Sequence, residues 1–186
     1  LPKTEKNVTI ELMDTEIVLG KRLSLPIEVF LATTAFVVPF LIGGPQLLVG
    51  TVVNAFLFIA AGKNISKIGL ILLITLPSIA AFSRGLVFGP LTYFLLYFIP
   101  FIWLGNTVLI ISFNNRLTEN FPSVLRILLA ASAKTAFLFL TANLVFQLHL
   151  VPKFFLTSMG LFQFITAVFG GIIALTIQNL EFKIKN

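Results

Sequence analysis

VLRILLAASAKTAFLFLTANLVFQL, the run Val124–Leu148, decides the architecture. Its only charges are Arg126 near its start and Lys134 inside it. As a helix it crosses a hydrocarbon core of about 30 Å, which takes ~20 residues. Working outward, five more apolar stretches appear: Leu25–Ile42, Pro45–Ala61, Ile68–Phe82, Leu91–Phe113 and Phe154–Leu180. They predict an all-α integral membrane protein, a compact bundle of six transmembrane helices with short outer hairpin loops. Residues 1–24 form a cytoplasmic or interfacial N-terminal segment, 25–180 the membrane domain, and 181–186 a cytoplasmic tail. Ile68–Phe82 is the weakest span, being short and interrupted by Pro77.

Charge sets the expected orientation. With the N-terminus inside, Lys3, Lys6, Lys21, Arg22, Lys63, Lys67, Arg116, Arg126, Lys183 and Lys185 fall at the inner boundary. Arg84 and Lys153 fall outside, and Lys134 lies within a span. The reverse orientation violates the preference for basic inner loops. A plasma-membrane protein with both termini cytoplasmic is expected.

Composition agrees with the membrane reading. The chain has 186 residues, 58% hydrophobic and only 11% charged, with a mean hydropathy of +1.04. Soluble domains carry about a quarter charged residues. The net charge of +6 is a topology and anionic-lipid signal, with no nucleic acid implied. Without cysteine there is no disulfide, thiolate metal site or cysteine-ligated cluster.

The first 25 residues lack signal-peptide order, since mixed charges precede any apolar core. Asn7–Leu19 alternates apolar and acidic residues and fits an interfacial helix, a short strand or simply a polar tail. The absence of an initiator methionine suggests a trimmed start.

Short connections make antiparallel neighbours. Ile42–Gln46 and Leu150–Lys153 read as outer hairpins, Lys63–Lys67 as an inner turn, and Asn114–Ser123 as a longer polar inner loop. A faint echo links Gly44-Pro45, followed by Asn54, with Gly89-Pro90, followed by Gly105-Asn106.

Polar residues within the spans carry the functional signal. A charge as deep as Lys134 costs several kcal/mol unless it faces protein or water. An anionic or polar ligand, a coupling role, or a structural pairing each accounts for it, and Glu28 is the sole acidic candidate partner. Asn54, Gln163, Asn143, Gln147 and Arg84 converge on the outer half, where a pocket opens outward. Asn143 lies on the helix face opposite Lys134, so the two do not line one small site. Asn106 stands deeper, behind Pro100 and Gly105, where helix packing is the simpler role. His149 reads as interfacial, without metal-ligand spacing. Small-residue seams occur at Thr51 and Ala55, Ala130–Ala133, Ala167-x-x-x-Gly171 and Gly170-x-x-x-Ala174. The seam Ala32–Ala35 on the first span is open to a partner.

No phosphate loop, zinc-binding helix, nucleophile triad or carboxylate pair occurs. The chain is not expected to be an enzyme, needs no cofactor, and binds no metal. Active transport requires ATPase partners.

The runs Gly44-Pro-Gln-Leu-Leu-Val-Gly-Thr-Val-Val-Asn54, Leu76-Pro-Ser-Ile79 and Ile99-Pro-Phe-Ile-Trp-Leu-Gly-Asn106 resemble an S-component-like branch of energy-coupling factor transporters. The resemblance covers roughly Pro26–Leu180. It implies a subunit that captures a vitamin-like molecule from outside, docked on a membrane coupling subunit with two cytoplasmic ATPases. It also implies docking through the first-span alanines, here Ala32 and Ala35, spaced three apart rather than the usual four. A nickel or cobalt substrate is disfavoured, since no histidine-rich N-terminus exists. The competing expectation is a non-transporting membrane scaffold or assembly subunit. A stand-alone channel comes third, because Lys134 without acidic partners makes a poor cation path.

Overall fold

The computed structural model describes residues 28–41, 45–63, 65–85 and 88–185. Among these every regular element is helical. The N-terminal segment, read as an interfacial helix, a short strand or a polar tail, and most of the first outer hairpin lie outside the described residues. Six helices follow the apolar stretches: α1 (Glu28–Leu41), α2 (Gln46–Ala61), α3 (Lys67–Arg84), α4 (Ile99–Phe113), α5 (Ser123–Gln147) and α6 (Phe154–Ile184). Three of them, α3, α5 and α6, are long and apolar enough to cross a membrane. Leu41, Ile68, Leu104, Ile111, Leu140, Leu144 and Phe169 all point outward and are exposed, as expected of helices bathed in lipid.

Pro100 and Gly105 mark a kink or packing crossover in the fourth stretch, and a bend is found just before Pro100. Leu91–Phe113 is not a straight span: a 3-10 helix, Gly89–Tyr97, meets α4 at 76°. Pro100 stands in the first turn of α4, where its missing N–H and ring prevent the preceding turn from continuing into the helix. Pro90 and the left-handed Gly89 (φ 56°) start the bent arm. The pair makes a fourth span only if both arms share one crossing. By contrast, α3 runs unbroken through Pro77 and stops at Gly85 (φ 72°), whose N–H reaches the Ala81 and Phe82 carbonyls. A glycine suits this left-handed helix end.

The most extensive interface joins α2 to α6, and small residues make it close. A Cβ on Gly170 would stand 2.7 Å from both the Ala55 N and the Thr51 O, so the two backbones touch there. Of the small residues expected to form seams, Thr51 and Ala55 meet Gly170 here, while Gly171 turns to Ile127 on α5. In α6, Ser158–Phe162 forms a π turn, a form frequent at functional positions. His149 takes φ 58° just beyond α5, while its N–H reaches the Phe146 carbonyl and that of Leu150 the Val145 carbonyl. It therefore serves as the left-handed helix stop usually given to glycine.

Two apolar cores stack along the bundle. One gathers Leu57, Phe58, Leu73, Leu109, Ile127 and Ala174. The other gathers Phe98, Leu138, Ala142, Phe155 and Met159, with Phe98 and Phe155 stacked at 5.1 Å. Between them, at mid-bundle, lies a layer of buried polar side chains.

Candidate functional site

That layer is organised by Lys134, which sits midway along α5 and is only 2% exposed. Its Nζ donates to Asn54 Oδ1 on α2 at 2.6 Å and to Asn106 Oδ1 on α4 at 2.8 Å. Each amide passes the connection on. Asn54 Nδ2 donates to Thr166 Oγ1 on α6 (3.1 Å), whose hydroxyl donates to the Gln163 carbonyl. Asn106 Nδ2 donates to the Ile74 carbonyl on α3 (3.1 Å). Pro77 lacks the N–H that the neighbouring Leu73 carbonyl, one residue before the acceptor, would meet in this turn. One ammonium thus ties together five of the six helices. Both asparagines follow a Gly-Pro, so the faint sequence echo brings its two halves to the same nitrogen.

The hub forms the floor of a cavity of about 80 Å³. Gln163 and Ser78 add polar edges, while Val49, Val53, Leu95, Ile102 and Met159 form the apolar walls. The cavity runs toward the bundle end marked by Gln46 and Phe88. There Gln46 is held by a two-way bond with Ser158: its Nε2 donates to the Ser158 carbonyl, and Ser158 Oγ donates to its Oε1, both at 2.9 Å. Trp103 Nε1 donates to Ser78 Oγ at 2.8 Å, placing the sole tryptophan directly behind the wall.

Of the expected site residues, Asn54, Asn106, Lys134 and Gln163 come together. Arg84, Asn143 and Gln147 do not. Arg84 is exposed at the end of α3 with its guanidinium 5.8 Å from the Phe40 ring centroid. Gln147 is exposed and donates to Asn143 at 3.3 Å, on the side of α5 away from the hub. Glu28 does not reach Lys134 either; it accepts from the N–H and hydroxyl of Ser66, the N-cap of α3. Ala35 is 1% exposed, packed within the chain's own core. Ala32 lines an apolar groove between α1 and α3. No cluster of metal-ligating side chains occurs among the described residues.

Thr166, Ser78 and the Gln46–Ser158 pair escaped the sequence reading. Hydroxyls in apolar helices usually bond their own preceding turn, so type and spacing gave no signal for them. No protein-family model, curated protein or solved structure matches this chain.

Proposed function

We propose that this chain is the membrane-embedded capture subunit of an importer of the energy-coupling factor kind. It takes a small vitamin-like molecule from outside into the mid-bundle cavity and delivers it with a coupling subunit and two ATPases. In this reading the six helices are six membrane passages, the bent pair counts as one, and both termini are cytoplasmic. The basic inner boundary supports the orientation.

The observation that carries the proposal is the cavity floored by Lys134, Asn54 and Asn106. A fully satisfied buried network rigidifies a core whether or not a ligand reaches it. This one faces open space, beside a Gln163 side chain that makes no hydrogen bond with other described residues. The competing reading, a scaffold subunit, draws on the same hub: both amides are already satisfied within the bundle, as a packing device requires.

Purification from native membranes separates the two. Capture predicts co-purifying ATPases and ATP-dependent uptake in proteoliposomes that contain all subunits. Unrelated membrane subunits and no uptake would sink it in favour of the scaffold.

A further inference from the structure

We infer that the captured molecule carries a carboxylate, one oxygen of which accepts the third N–H of Lys134. This rests on the capture reading above. A lysine ammonium offers three N–H donors and no acceptor. Two are taken by Asn54 and Asn106, both neutral. No acidic side chain lines the cavity. Of the described carboxylates, Glu28 is held by Ser66, Glu181 by Lys63 at 2.9 Å, and Glu119 is exposed in the loop before α5. The buried charge therefore has no counter-ion among the described residues, a costly state in a low-dielectric interior.

Ligand classes differ sharply at such a site. A cation is repelled, and a neutral molecule leaves the charge uncompensated. A carboxylate supplies the missing charge and a charge-assisted hydrogen bond, which is stronger than a neutral one. Its second oxygen finds the Gln163 amide along the same wall. Val49, Val53, Leu95, Ile102 and Met159 then receive hydrocarbon. A water occupies about 30 Å³ in the liquid, so the ~80 Å³ cavity seats a carboxylate head group with a few carbons. A larger remainder extends toward Gln46 and Phe88.

Trp103 provides the readout, because it is the only tryptophan and its indole is bonded to the cavity-lining Ser78. The full chain in nanodiscs is titrated with acetate, propionate and butyrate, with the matching neutral amides, and with chloride, at constant ionic strength. The expected result is a saturable change in Trp103 fluorescence with the acids alone. Lys134→Met should weaken it about 10- to 150-fold, the equivalent of one hydrogen bond to a charged group. Because that variant risks misfolding, Asn54→Asp is the second test. It gives Lys134 an internal counter-ion, and the Thr166 hydroxyl can turn to donate to the new carboxylate. It should stay folded and lose acid binding.

Equal response to amides or chloride, or wild-type acid binding by Asn54→Asp, would overturn the carboxylate assignment. Response to amides alone, with ATPases co-purifying, overturns it and leaves capture standing. No response to any probe, and no ATPase partners, removes both.

Discussion

Lys134 Nζ lies 2.6 Å from Asn54 Oδ1, although the two residues are 80 apart in the chain. That contact joins α5 to α2, and through Thr166 it reaches α6, so the middle of the bundle is fixed by one nitrogen. Apolar packing alone specifies helix arrangement weakly in lipid, where side chains meet acyl tails as readily as one another. A single buried donor with two obligatory acceptors chooses one arrangement.

Lys134→Met should accordingly destabilise more than a surface change. It leaves two buried amide oxygens without their donor, at about 1–3 kcal/mol each. Thermal unfolding in detergent measures the loss. A double-mutant cycle with Asn54→Ala should show coupling of about 1–3 kcal/mol; additive losses would mean the contact carries no energy.

Glycine substitutions should separate backbone from side-chain contact. At Gly170 a Cβ meets backbone atoms of α2 at 2.7 Å, so Gly170→Ala must push α2 and α6 apart and shift Asn54. Overpacking of this kind costs about 1–3 kcal/mol. At Gly160 the nearest atom is Phe139 Cδ2 at 3.0 Å, on a half-exposed ring that can turn aside. Gly160→Ala should melt close to wild type and Gly170→Ala clearly below it.

Ser66 caps α3 by accepting from the Gly69 N–H and also donates to Glu28. Ser66→Ala loses both roles, with a cap worth about 1 kcal/mol. Hydrogen exchange should rise in α1 and the first turn of α3 while α5 stays protected. Unchanged exchange in α1 would show that the Ser66 hydroxyl does not hold it and that the backbone N–H bond to Glu28 suffices.

His149→Gly should stabilise. The left-handed conformation costs an L-residue roughly 1 kcal/mol that glycine avoids. A raised melting temperature is expected, and a lowered one would mean the imidazole has a stabilising role at the helix end.

The six helical segments were legible because long apolar runs survive any detail of packing; α5 departs from its expected bounds by one residue at each end. The bend before α4 was legible only as a kink or packing crossover at Pro100, since a proline alone does not reveal whether a helix kinks or restarts, nor by what angle. Within the site, Lys134 stood out because charge at that depth demands a reason, and Asn54 and Gln163 were placed at matching depth. Asn106 was a candidate site residue for which packing was the simpler role, and its bond to Lys134 emerged only from the fold, because depth along a helix does not fix which neighbour it faces. Arg84 and Gln147 were grouped with the site by their place in the outer half and lie away from it at a helix end and on an exposed face, while Asn143 sits, as read, on the face opposite Lys134.

The most direct test of the capture reading is native mass spectrometry of the gently purified protein beside Ala81→Leu. Ala81 is buried and lines the cavity without touching the hub, so the larger side chain fills the space and leaves Lys134, Asn54 and Asn106 bonded. The account predicts a small molecule retained by the wild type and absent from a folded Ala81→Leu protein. An empty wild type, or equal retention by both, would contradict it.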